Sequence, residues 1–210
     1  MPFYTYPLIY AISIFFGLIY KRKFSQNKYL NYFIYFLIYT FISESIGTYL
    51  AYYLKVSTNI VYNTWQIVNF LFFSFFFLSR IASKKKRLFI KLLVIGFITI
   101  TLINVIFFGH YVQHLLLNNV IFAKFLVVIL TITYFIEVLE SDEVLNIKHS
   151  LFFWIALGEF LYNLGFLPAI ALFKFITVFG MFQYITFILN IIMHLCFITG
   201  FIISKKEYNN

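Results

Sequence analysis

Seven apolar stretches follow one another along the chain, at 4–20, 29–53, 59–78, 88–108, 113–139, 150–172 and 178–203, with only short polar breaks between them. Each is close to the ~20 residues that a helix needs to cross a hydrocarbon core about 30 Å thick. A chain built this way has few folds open to it, because lipid offers the backbone no hydrogen bonds and spanning segments must satisfy their own. Helices do so locally, whereas a barrel would show short alternating strands. The expectation is an all-α integral membrane protein, a single seven-transmembrane-helix bundle. Composition closes the alternative of a water-soluble domain: 63% of the 210 residues are hydrophobic and 11% charged. The opening MPFYTYPLIY lacks a basic n-region and a small-residue cleavage site, so it reads as the first span rather than a leader.

The formal charge of +9 would point to nucleic acid in a soluble protein, but here its distribution is topological. Lys21–Lys23 and Lys28 follow the first span, and Arg80, Lys84, Lys85, Lys86, Arg87 and Lys91 follow the third. Lys148 precedes the sixth, and Lys205 and Lys206 close the chain. Lys55 and Lys174 alone fall on the other side. By the positive-inside rule the N-terminus is expected outside and the C-terminus in the cytoplasm, in the inner membrane of a bacterium. The basic loop Lys84, Lys85, Lys86, Arg87 is expected to lie against anionic headgroups; a nucleic-acid partner is not expected. Cys196 is the only cysteine, so no disulfide framework or thiolate metal cluster is expected.

The residues that carry chemistry are the few charges inside spans. Glu159 sits in FFWIALGEFLYNLGFL, where an ionised acid costs roughly 2.5 to 3.5 kcal/mol at mid-depth. Such a group is normally kept for a partner or a task. Counting 1.5 Å per residue from the predicted ends places Lys124 of the fifth span, Glu159 of the sixth and Glu44 of the second at roughly the same depth, 14 to 20 Å. Thr40, Glu44 and Thr48 repeat every four residues and so share one face. Gln66, Asn69, Asn163 and Asn190 belong to the same layer or just above it. The layer is expected to form a pocket open from outside that holds a small polar ligand or a proton, and His194, a turn deeper, could extend a proton path. A bare structural role, an ion pair and hydrogen bonds that fix helix neighbours, would use the same residues. Gly158 and Gly165 permit close helix approach, and Pro168 should bend the end of its helix. His110 and His114, at i and i+4, have the spacing of a metal pair but no third ligand nearby in sequence, and no metal site is expected.

In outline, seven spans in this orientation resemble microbial rhodopsins, which hold retinal through a lysine of the last helix. The seventh span here has no lysine, and Lys124 belongs to the fifth, so no retinal or other cofactor is carried over. No serine elbow, phosphate loop or HExxH occurs, and the sole aspartate, Asp142, lies in a polar break, which disfavours an enzyme. The expected role is therefore receptor- or sensor-like, relaying the state of the pocket to a cytoplasmic protein partner, with oligomers left open. The alternative is an ion or proton channel or a small-solute transporter, including a membrane-permeabilising defence effector.

Overall fold

The apolar stretches fold as helices: α1 (Thr5–Ile19), α2 (Lys28–Tyr49), α3 (Asn59–Leu78), α4 (Lys84–Phe107), α5 (Leu117–Leu139), α6 (Leu151–Ala171) and α7 (Met181–Ile203). The computed structural model describes residues 5–107, 111–112, 114–172 and 180–209, and among them there is no strand. Among the described residues six helices are long and apolar enough to cross a membrane, α2 being prolonged to Leu54 by a π-helical turn, which supports a multi-pass membrane protein. The first, α1, has 15 residues and is about 22 Å long, short of a 30 Å core.

Six helices make a closed ring. Each of α1, α2, α3, α5, α6 and α7 packs on the next in that order, and α7 returns to α1. The fourth helix stands outside, against α3 and α5. This follows from its sequence, which carries only Ile90, Phe97 and Thr101 to a buried face. The tightest seam is α6 on α7. A Cβ on Gly158 would stand 2.9 Å from the Met193 carbonyl oxygen, and one on Gly200 would stand 2.6 Å from Trp154 Cβ. Glycine from each helix therefore lets the two backbones approach.

One half of the ring is filled with aromatic side chains. Positions 63, 66, 70, 73 and 77 of α3 alternate steps of three and four, so they fall on one face, and all are buried. The first two are Asn63 and Gln66; the rest are Phe70, Phe73 and Phe77. Phe33 of α2, Phe76 of α3, Phe152 of α6 and Phe197 and Phe201 of α7 complete the aromatic block, with Phe33 edge-on to Phe197 at 5.1 Å and Phe76 against Phe152 at 4.8 Å. This half lies toward the basic end of the bundle, where the segments 20–27, 79–83, 140–150 and 204–209 gather.

Helix ends at the basic end are satisfied by side chains, some local and some from elsewhere in the chain. Asn27 caps α2 by accepting from the Tyr29 and Leu30 N–H groups at 3.0 and 3.3 Å. Arg87 donates to the Leu78 and Ile81 carbonyls at the end of α3, both at 3.0 Å. The tail folds back so that Asn209, fully buried, accepts the Leu151 N–H at the start of α6 at 2.8 Å. His149 stacks on Tyr208 of the same tail, and burial, then the nearby Lys205 and Lys148 charges, hold its imidazole below the ordinary 6.5.

Two expectations are corrected here. The run Lys84, Lys85, Lys86, Arg87 is the first turn of α4 rather than a loop. Four cations oppose the positive end of a helix dipole. Glu137 of α5 offsets them: its carboxylate accepts from the Ala82 and Ser83 N–H groups at 2.7 and 3.0 Å and from Lys86 at 2.9 Å. Lys86 also pairs with Glu140. The fifth helix starts at Leu117, not near 113: Asn63 engages Tyr111, His114 and Leu116, described residues ahead of the helix that are not helical. Its amide donates to the carbonyls of Tyr111 and His114 at 2.8 and 2.9 Å, and its oxygen accepts the Leu116 N–H at 3.0 Å. Lys124 is thus seven residues from the start of its helix. His110, Gln113, Lys174 and Thr177 lie outside the described residues, so the paired-histidine spacing is not placed. Pro168 is accommodated in the last turn of α6, which ends at Ala171.

Candidate functional site

The half of the ring away from the basic end is not filled. It encloses a cavity of about 840 Å³ to which all six ring helices contribute and α4 does not. Thr40, Glu44 and Thr48 of α2, Gln66 and Asn69 of α3, Lys124 of α5, Glu159 of α6 and Asn190 of α7 all line it. The three charges set within apolar helices therefore share one chamber. Exposed Tyr52 and Tyr184 stand at its rim. Phe36, Leu37, Met193 and Phe197 form its floor, and beneath them lies the buried aromatic block.

Lys124 is 3% exposed, and its ammonium is held by rings rather than by a contact ion pair. Its Nζ lies 4.8 Å from the Trp65 ring centroid, 5.0 Å from Tyr162 and 5.8 Å from Phe166. In a desolvated setting a cation over an aromatic face gains about 2 kcal/mol. Glu159, 4% exposed, acts on this ammonium through space. Among the described residues no carboxylate oxygen lies within 4.0 Å of Lys124 Nζ. The placement follows from helix geometry, since Tyr162 and Phe166 stand three and seven residues after Glu159 on one face of α6.

Asn163 does not line the cavity. It is fully buried and turns its amide back along α6, donating to the Glu159 carbonyl at 2.7 Å and to Glu159 Oε2 at 3.1 Å. Asn163 thereby orients the carboxylate. Across the chamber Glu44 accepts a long hydrogen bond, 3.4 Å, from the Tyr62 hydroxyl. Tyr10 and Tyr162 lie within electrostatic reach of both carboxylates. Asn190 donates to the Thr186 carbonyl at 2.9 Å, and the Tyr6 and Thr186 hydroxyls meet at 3.1 Å, which ties α1 to α7 at the upper wall.

His194 also lies outside the lining. Ser13 of α1 meets its Nδ1 at 2.7 Å, Tyr10 packs edge-on at 4.3 Å between ring centroids, and Phe197 packs at 5.3 Å. The imidazole is enclosed between α1 and α7 beside the floor. At the basic end, Lys84 and Lys85 project into the surroundings while Lys86 and Arg87 are engaged within the fold.

Sequence reasoning passed over the aromatic walls: Tyr6, Tyr10, Tyr62, Trp65 and Tyr162 line the chamber as directly as the charges. The available signal was helical spacing. Tyr6 and Tyr10 are four apart on α1, and Tyr62, Trp65, Gln66 and Asn69 share a face of α3.

Comparison with protein-family models, with curated proteins and with solved structures finds no match for the chain.

Proposed function

We propose that the chain is a seven-helix, receptor- or sensor-like protein of the bacterial cytoplasmic membrane, with the N-terminus outside and the C-terminus inside. It binds a small polar ligand or a proton in the central chamber and passes that state to a cytoplasmic partner. In this reading α1 crosses with the others, and the basic segments around residues 21–23, 80–87, 148 and 205–206 face the cytoplasm. The observation that carries the reading is a polar chamber with three charges that stops at an aromatic floor. A blind pocket is what a receptor needs, whereas a conducting protein would have to open the aromatic floor to water. Glu159 is the principal contact, Glu44 the second, and Lys124 the internal counter-charge. The relay runs along α6, which carries Glu159 at the chamber and begins under the Asn209 cap at the other end. Lys84 and Lys85 remain for anionic headgroups or an acidic partner surface.

The channel or transporter reading uses the same charges and would route protons past His194. Proton and ion flux in proteoliposomes of the wild type beside Glu159→Gln separates the two. The receptor reading predicts no flux in either protein. Flux in the wild type that Glu159→Gln abolishes would establish conduction instead.

A further inference from the structure

The ligand-binding reading of the chamber leaves the ligand's chemistry open, and the walls narrow it. An ionised carboxylate in a low-dielectric chamber calls for a cation. Glu159 has one within electrostatic reach in Lys124. Glu44 does not: it has neither an ion pair within 4.0 Å nor a longer-range interaction with a cation among the described residues, and its hydrogen bond from Tyr62 is long. The side chain is only half-buried and faces the chamber. With both acids ionised the chamber carries one negative charge more than Lys124 supplies.

The surroundings of Glu44 are aromatic. Tyr62 is laid against α2 because Gly47 leaves room for it: a Cβ there would stand 2.7 Å from the Tyr62 hydroxyl oxygen and 3.0 Å from its Cζ. Tyr6 and Tyr10 of α1 line the same chamber within electrostatic reach of Glu44. Gln66, 4% exposed, also lines it, and its amide nitrogen is buried without a hydrogen-bond partner. The fold already shows what such a setting holds. On the opposite wall an ammonium, that of Lys124, sits among three aromatic rings with a carboxylate in reach. The Glu44 side has the carboxylate and the rings and no ammonium. An inorganic cation fits less well, since hard cations take six or more oxygens rather than aromatic walls.

We propose that the chamber binds a small organic ammonium ion, its cationic group against Glu44 among Tyr6, Tyr10 and Tyr62, with an oxygen of the ligand accepting from Gln66. This rests on the ligand-site reading above and adds the charge and class of the ligand. A chamber of about 840 Å³ is within the usual range for small-molecule sites and leaves room beyond the cationic group.

The test uses the full chain in nanodiscs with Trp154→Phe, which leaves Trp65 as the only tryptophan and a reporter in the chamber wall. Choline and 2-phenylethylammonium are titrated beside their neutral counterparts, 3,3-dimethyl-1-butanol and 2-phenylethanol. The expected result is saturable change in Trp65 emission with the cations and at least ~10-fold weaker binding of the neutral molecules. Glu44→Gln should weaken the cations by a similar factor and leave the neutral molecules unchanged. Tyr62→Phe, which keeps the ring, should bind the cations nearly as well as the parent, and Tyr62→Leu should not; this pair serves if Glu44→Gln does not fold. Equal binding of charged and neutral probes, or cation binding indifferent to both Glu44→Gln and Tyr62→Leu, overturns the ammonium assignment while leaving a ligand site. No response to any probe, or a response to sodium or potassium chloride alone, also overturns it.

Discussion

Replacing Lys124 by methionine should cost the folded protein about 1 to 3 kcal/mol, because the change keeps the side-chain volume but leaves Glu159, buried in the chamber wall, with no cation in reach. The Trp65, Tyr162 and Phe166 rings that surround the ammonium would lose their cation–π partner at the same time. Thermal unfolding in mild detergent, followed by fluorescence-detected gel filtration, measures the loss. The double variant Lys124→Met, Glu159→Gln should recover most of it, since it removes both charges and Asn163 can still hydrogen-bond the new amide. A double-mutant cycle makes the argument quantitative: large coupling is expected for this pair and little for Lys124 with Glu137, which belongs to the ion network at the basic end. If Lys124→Met were as stable as wild type, the electrostatic link across the chamber would have no energetic substance.

Asn63→Leu should be nearly as damaging for a different reason. One amide side chain closes three hydrogen bonds to the 111–116 segment, and leucine cannot replace any of them. Two carbonyls and one N–H would be left to find other partners, at about 1 to 3 kcal/mol for each that stays buried and unpaired. The start of α5 would lose its anchor, and with it the position of Lys124 seven residues on. The expected result is a lowered melting temperature together with rapid proteolysis between α4 and α5. Retained protease resistance at 111–116 would show that the Thr64–Tyr111 hydroxyl contact and packing suffice to hold the segment.

How much of this was written legibly in the sequence depends on contrast. Glu44, Lys124 and Glu159 stand out because a charge within an apolar run has few reasons to be there. A depth count puts Lys124 beside the other two only from a start near 113; from the actual start at Leu117 it gives about 10 Å, so the shared chamber rather than the count brings the three together. The third helix was equally readable, its predicted ends coinciding with Asn59–Leu78. Tyrosine and phenylalanine gave no such contrast in a chain that is 24% aromatic, so the walls around Lys124 and Glu44 could not be told from packing. The exclusion of α4 from the ring was hidden for a related reason, since beyond Lys91 it carries no charge and reads alike at the centre and at the edge. The helical state of Lys84–Arg87 and the late start of α5 both depend on one distant side chain, Glu137 and Asn63 respectively. No local pattern announces a cap supplied from fifty residues away. Asn163 illustrates the converse: depth placed it with the pocket, but its amide is committed to Glu159.

The central claim, a chamber that opens at one end and stops at the aromatic floor, is tested most directly by thiol accessibility in sealed vesicles. In a Cys196→Ser background, Thr48→Cys places a thiol in the chamber wall and Ser74→Cys places one on α3 in the aromatic half, fully buried. A membrane-impermeant thiol reagent should modify Thr48→Cys from the side opposite the basic end only, and Ser74→Cys from neither side. Modification of Ser74→Cys, or of Thr48→Cys from both sides, would mean that water passes the floor and that the chamber is part of a continuous path.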